Sequence, residues 1–177
     1  PLGIELPKKG KYGVGMVFFP SDRYKRQQVR NILNEYINKV GLVLLGYRDV
    51  PVDDSTLGKA ALDSEPQIVQ IFVESKEKID QDALERKLFV LRKASNHAIY
   101  ANVDLVTDEF YITTFSSKVI GYKGQFTTPQ LKEYYQDLRD EDIEAGFAMV
   151  HSRFSTNTFP QWKLAQPFRF IAHNGEI

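Results

Sequence analysis

The alternation of apolar and polar positions gives the first two thirds of this chain a regular texture that the last third lacks. Residues 11–19 place Tyr12, Val14, Met16 and Phe18 on one face and glycines at 13 and 15 on the other, which predicts a strand ended by Pro20. Ser21 is the expected N-cap of a helix whose apolar residues Val29, Ile32, Leu33, Tyr36, Ile37 and Val40 recur at three- and four-residue spacing, with Gly41 closing it. Residues 42–47 read as a short apolar strand. Residues 48–66, rich in Asp, Pro and Gly, read as a long connection with one helical turn, and 67–73 as an alternating strand. Asp80 caps a second helix that buries Leu84, Leu88 and Leu91, and 110–115 and 118–122 read as two strands joined by a turn at Ser116-Ser117.

The resulting order, β-α-β-β-α-β, is the split β-α-β arrangement, which packs two helices on one side of an antiparallel sheet. Beyond it, Thr128 is expected to cap a helix with Pro129 at its first position, where the missing N–H is harmless. Leu131, Tyr134, Tyr135 and Leu138 form the buried face of that helix. After an acidic turn, 145–150 and 168–172 read as strands, so the fold class is α+β.

Composition narrows the partners. A 42% hydrophobic share of 177 residues is enough for a conventional core. No run of about 18 apolar residues and no signal-peptide pattern occurs, which predicts no membrane span and a cytoplasmic chain. Lys plus Arg equals Asp plus Glu at 23 each, so no global positive field exists to attract nucleic acid or an anionic leaflet. The absence of cysteine removes disulfides, thiolate metal sites, cluster ligation and a thiol nucleophile from these residues. Three histidines without paired-histidine spacing argue against a zinc site.

Candidate chemistry concentrates in the tail. Gly13-Val14-Gly15 invites a dinucleotide reading, but Phe18 stands where a third glycine is needed and the glycines fall inside a strand, where they serve a bulge or a close approach instead. The run His151-Ser152-Arg153-Phe154-Ser155-Thr156-Asn157-Thr158 sets a guanidinium, four hydroxyls and an amide just after a predicted strand, where loops on a rigid element carry binding groups. Arg153 can clamp a carboxylate with two parallel hydrogen bonds, or can pair with one of the chain's own acids. In His173-Asn174-Gly175-Glu176, an amide beside a glycine N–H can aim two donors at one oxygen; on spacing alone the hairpin-turn reading of Asn-Gly stands ahead of it. His151 and Ser152 are no catalytic pair, since neighbours on an extended chain face opposite ways.

Taken together, the segments 151–160, Trp162, Ala165-Gln166-Pro167-Phe168 and His173-Asn174-Gly175-Glu176-Ile177 resemble the signature of the type 2 glutamine amidotransferase domain of glutamate synthases. Upstream, Tyr12-Gly-Val-Gly-Met-Val-Phe-Phe-Pro20, Gly46-Tyr-Arg-Asp-Val-Pro51, Gln70-Ile-Phe-Val73 and the stretch from Phe110 through Tyr122-Lys-Gly124 to Asp137-Leu138 are similar to the same family in the same order. The resemblance implies a four-layer αββα N-terminal-nucleophile hydrolase fold, here partial. It divides the chain into a β-α-β-β-α-β insert-like subdomain, 1–107, and a part of the core, 108–177. It implies that an N-terminal cysteine attacks the glutamine amide with its own α-amine as base. Arg153 matches the residue that binds the glutamine α-carboxylate, Asn174 and Gly175 match the oxyanion donors, and Thr156, Asn157 and Glu176 match positions near the bound glutamine.

The family's cysteine and His-Arg-Gly segment and its substrate-amine aspartate match nothing in this chain, and Pro1 offers an α-amine without a nucleophilic side chain. The expectation is therefore half an active site, without glutaminase activity by itself. The resemblance implies that a complete synthase makes glutamate from glutamine and 2-oxoglutarate. It would use FMN, an iron-sulfur cluster and NADPH, NADH or ferredoxin as donor, none bound by these residues, and the remaining synthase domains would be partners. Two other readings stand beside it: residues before Thr107 as a packing module, and the amidotransferase part of a different glutamine-dependent synthase. Truncated sheet edges also predict self-association.

Overall fold

A computed structural model describes residues 3–105, 109–154 and 157–166. The chain forms two compact units, Pro1–Val50 with Pro66–Tyr122, and Pro51–Glu65 with Lys123–Ile177.

The first unit follows the predicted order. Strand β1 (Tyr12–Phe19) leads to helix α1 (Arg23–Lys39) and strand β2 (Leu42–Asp49); the short helix α2 (Lys59–Leu62), next along the chain, belongs to the second unit; then come β3 (Gln67–Ser75), helix α3 (Gln81–Ala101) and β4 (Tyr111–Ser116). The four strands make one antiparallel sheet in the order β2-β3-β1-β4. The last predicted strand of the motif therefore belongs to this sheet, paired with the first.

Local chemistry explains the boundaries. α1 is capped by Asp22, one residue later than expected from Ser21; the Asp22 carboxylate accepts from the Lys25 N–H at 2.8 Å. Asp80 caps α3 as its sequence position predicts, accepting from Ala83 N–H at 2.7 Å. The apolar stripes then do the packing. Val29, Leu33 and Ile37 of α1 and Leu84, Leu88 and Leu91 of α3 join Val17, Phe19, Val69, Ile71 and Ile112 from one face of the sheet in a single buried cluster. Each such side chain contributes about 1.5–3 kcal/mol.

The glycines of β1 sit on that face. A Cβ at Gly13 would lie 2.5 Å from Leu88 Cδ1, and one at Gly15 2.7 Å from a ring carbon of Phe115. They are the hollows into which a helix residue and a neighbouring-strand residue fit, and a register shift between Met16 and Val17 follows directly. The guanidinium of Arg30 lies 4.9 Å from the ring centre of Tyr47 and 5.5 Å from that of Phe19. The Tyr47 hydroxyl donates to Asn34 Oδ1 at 2.6 Å, and burial pushes it up to about 12.

Three strand expectations come out differently. β3 is buried on both faces rather than alternating, with Gln70 nearly enclosed and its Oε1 accepting from Arg48 at 3.0 Å. Residues 118–122 are not a strand, because the hydroxyls of β4 take the backbone groups that a ladder needs. Ser116 Oγ accepts from the Lys118 and Val119 N–H groups, Thr114 Oγ1 accepts from Gly121 N–H at 3.1 Å, and Thr113 Oγ1 donates to Gly121 O at 3.2 Å. Residues 145–150 are irregular and largely exposed, with no strand beside them among the described residues. The expected strand 168–172 lies outside the described residues.

Candidate functional site

The tail that carries the candidate chemistry belongs to the second unit, where regular structure is sparse. Helix α4 spans Thr128–Tyr134, its N-cap falling at Thr127, one residue before the expected Thr128. Gln130 Oε1 accepts from the Thr127 N–H at 2.9 Å, and Gln130 Nε2 donates to Thr56 O. At the other end Arg139 folds back, its Nε donating to Lys132 O at 2.9 Å and its Nη2 to Glu133 O at 2.5 Å, which occupies orphan carbonyls of the last turn. The segment before α2 runs beside this helix end: Asp53 N–H donates to Tyr134 O at 2.8 Å, and Val52 bridges Tyr135.

An aromatic layer anchors the rest. Tyr134, Tyr135 and Trp162 are buried, and Phe126 stands between them, 5.2 Å from the Tyr134 ring centre and edge-on to Trp162 at 5.7 Å. Each polar tip of the layer finds a partner. Trp162 Nε1–H donates to Ala61 O at 3.0 Å, the Tyr135 hydroxyl to Lys123 O at 2.7 Å, and the Tyr134 hydroxyl to Glu65 Oε1 at 2.5 Å. Burial, and then the bond to Glu65, hold the Tyr134 hydroxyl well above the usual phenol range. Burial likewise raises the Glu65 carboxyl, against the lowering effect of the Tyr134 bond, and the nearby Asp54 charge raises it further. Lys123 Nζ donates to Lys163 O at 2.7 Å, so the turn Trp162–Leu164 is fixed both by its indole and through its backbone.

Of the six candidate site residues, the described part contains Arg153 and Asn157, and both are exposed. Thr156, Asn174, Gly175 and Glu176 lie outside the described residues. His151 Nε2 is within hydrogen-bond reach of Arg153 O, so His151 turns toward its own segment. Arg153 forms no ion pair with an acid among the described residues, where the cation–acid pairs are Lys39–Glu35, Lys87–Glu77 and Lys118–Asp82. Its fork of donors therefore faces solvent, in a condition to receive a planar anion. Among the described residues, no group of three or more His, Cys, Asp or Glu side chains is placed to hold a metal, and no helix is long and apolar enough to cross a membrane.

The family model of the class-II glutamine amidotransferases matches residues 1–177, the whole chain. The chain belongs to this family. Within it, the chain is similar to the large chain of the NADPH glutamate synthase of Bacillus subtilis, 44% identical over 176 residues, which cover 98% of this chain and 11% of that protein. It is 42% identical over 182 residues to the NADH glutamate synthase of Schizosaccharomyces pombe, covering 99% of this chain and 8% of that one. It is 40% identical over 165 residues to ferredoxin-dependent glutamate synthase 1 of Arabidopsis thaliana, covering 93% and 10%. The chain thus spans about a tenth of the length of these relatives.

In this amidotransferase chain the aromatic layer anchors Trp162, five residues after Asn157. The sequence pattern places Tyr134 and Tyr135 on a buried face and Trp162 only within a motif. The signal that would have joined them was a single tryptophan downstream of a Phe126, Tyr134, Tyr135 set.

Proposed function

We propose that this amidotransferase chain supplies the glutamine-holding part of a glutamate synthase. Arg153 binds the α-carboxylate of glutamine with two parallel charge-assisted hydrogen bonds, and Thr156, Asn157 and Glu176 line the bound substrate. Attack of a thiolate on the side-chain carboxamide carbon turns the carbonyl oxygen into an oxyanion, which accepts from the Asn174 side-chain amide and the Gly175 N–H. Collapse of that intermediate expels ammonia and leaves a thioester, and water then releases glutamate. None of the 177 residues is a cysteine, so the reading gives them the binding and oxyanion roles and assigns the attack to another part of the parent polypeptide.

In the same reading the ammonia reacts with 2-oxoglutarate, and an external donor reduces the adduct to a second glutamate. The flavin and iron-sulfur parts of such an enzyme are assigned to other domains: these residues include no cysteine to ligate a cluster. Residues 108–177 form part of the four-layer αββα core and 1–107 an insert used for packing. That division follows the chemistry and cuts through the sheet, since β4 pairs with β1.

The observation that carries the proposal is the exposed Arg153 guanidinium, without an acid partner among the described residues, inside the segment that bears the family signature. In a complete synthase, Arg153→Ala is expected to raise KM for glutamine by about ten- to a hundredfold and leave ammonia-dependent synthesis unchanged. An unaltered glutamine KM removes the assignment.

A further inference from the structure

The family signature leaves open what holds the glutamine-binding segment in place before substrate arrives. We infer that Trp162 is a positioning residue for that segment, and that Gly124 leaves the space its indole shares with the Phe126 ring. The inference rests on the glutamine-binding reading of Arg153 and Asn157.

Asn157 stands five residues before Trp162, in a stretch with no helix or strand among the described residues until the turn Trp162–Leu164. A loop of this kind is ordered only as well as its ends. Its far end is fixed at three points: the indole ring is 2% exposed, its N–H donates to Ala61 O, and Lys163 O accepts from Lys123. The ring fits only because residue 124 has no side chain. A Cβ there would lie 2.6 Å from Trp162 Cζ3 and 2.2 Å from Phe126 Cε1, far inside van der Waals contact. The backbone of Gly124 does not lie in the left-handed region, so the need for glycine is steric.

The consequence is energetic preorganisation. With the indole seated, the stretch from Asn157 to Trp162 samples few conformers and substrate meets a competent one. With it displaced, part of the binding energy of glutamine goes into ordering the loop, and apparent affinity falls by the fraction of competent conformers.

The test is steady-state kinetics of the complete synthase carrying Gly124→Ala, Trp162→Phe, Trp162→Ala or Arg153→Ala, each assayed with glutamine and with ammonia. Gly124→Ala and Trp162→Ala are expected to raise KM for glutamine about tenfold, and Trp162→Phe, which keeps a ring but loses the bond to Ala61, about threefold. The ammonia-dependent rate stays unchanged in all of them. If Trp162→Ala loses both activities through misfolding, Gly124→Ala and Trp162→Phe decide. Equal losses with glutamine and ammonia in those two would mean a merely structural role and would overturn the inference. So would a normal glutamine KM in them alongside a raised one in Arg153→Ala, which leaves the glutamine-binding reading standing. A normal KM in Arg153→Ala overturns both.

Discussion

Replacing Tyr134 with phenylalanine deletes one buried oxygen and leaves Glu65 without the hydroxyl that donates to it at 2.5 Å. A hydrogen bond to an ionised acceptor is worth about 1.5–3 kcal/mol, but Glu65 is only half-buried and water recovers part of the loss, so about 1–2 kcal/mol is expected at pH 7. The cost has a pH dependence with a definite sign. Burial already raises the Glu65 carboxyl above its ordinary 4.5, and the Tyr134 bond opposes that rise. A carboxyl raised on folding binds its proton more tightly in the folded chain. Its favourable contribution is complete below the unfolded value and is lost as pH climbs through the folded one. Removing the Tyr134 hydroxyl raises the folded value further, so the variant bears the larger penalty at neutral pH, when Glu65 is ionised. At acid pH only a neutral hydrogen bond is missing, and the deficit falls to about 0.5–1 kcal/mol.

Urea denaturation of the wild-type chain and Tyr134→Phe at several pH values between 4 and 7 measures this directly. The fluorescence of Trp162, the single tryptophan, whose ring centre is 5.4 Å from that of Tyr134, is the probe. The m-value should not change. A deficit that is constant across this range, or that grows toward acid pH, would refute the reasoning, as would a Glu65 titration by carboxyl NMR that does not move upward in the variant.

Other consequences follow from particular contacts. Asp80→Ala should cost about 1 kcal/mol by releasing the Ala83 N–H, while Asp80→Asn should be nearly neutral; urea midpoints read both. Gly13→Ala should cost about 1–3 kcal/mol by forcing Leu88 aside, and Leu88→Ala about 2–5. The double variant should fall short of their sum by about 1 kcal/mol, since the smaller side chain frees the space the new methyl needs; strict additivity in a denaturation cycle would contradict the packing. Phe147 and Val150 are 82% and 87% exposed, so the chain should self-associate with rising concentration in sedimentation velocity, and Phe147→Lys with Val150→Lys should suppress it.

What could be read from sequence tracks the physical range of each signal. α1 and α3 were legible because three- and four-residue apolar spacing, and for α3 the capping Asp80, act within one or two helical turns; the buried residues came out where the spacing put them, while the cap of α1 fell at Asp22 and not Ser21. An antiparallel sheet with two helices on one side followed from that alternation of elements. Residues 118–122 misled because their apolar content suits a strand, while the deciding contacts are hydroxyls on the previous strand, seven or eight residues back. The glycines of β1 announced a close approach but not by what: Leu88 is 75 positions away in sequence, and only folding brings it over Gly13. At the candidate site, Arg153 and Asn157 were legible as residue types in a loop and by family likeness. The anchorage of Trp162 was not, since Ala61, Gly124 and Trp162 come from three separate segments.

The two units solve the problem of holding a backbone in place by different means. In the first, four strands and two long helices satisfy most of one another's backbone groups, and the side chains are left to fill the core. In the second, side chains do much of that work: Gln130, Lys123, Tyr135, Arg139 and Trp162 all end on backbone carbonyls. Anchoring of this kind needs no ladder, and residues 145–154 and 157–161 lie in none. It also concentrates risk, because each anchor depends on one side chain and not on a repeating pattern. Gly124→Ala changes no hydrogen-bonding group in the chain, yet it sets a methyl into the space that two rings of the layer occupy. A fold held by such single points is expected to lose its binding geometry before it loses its stability.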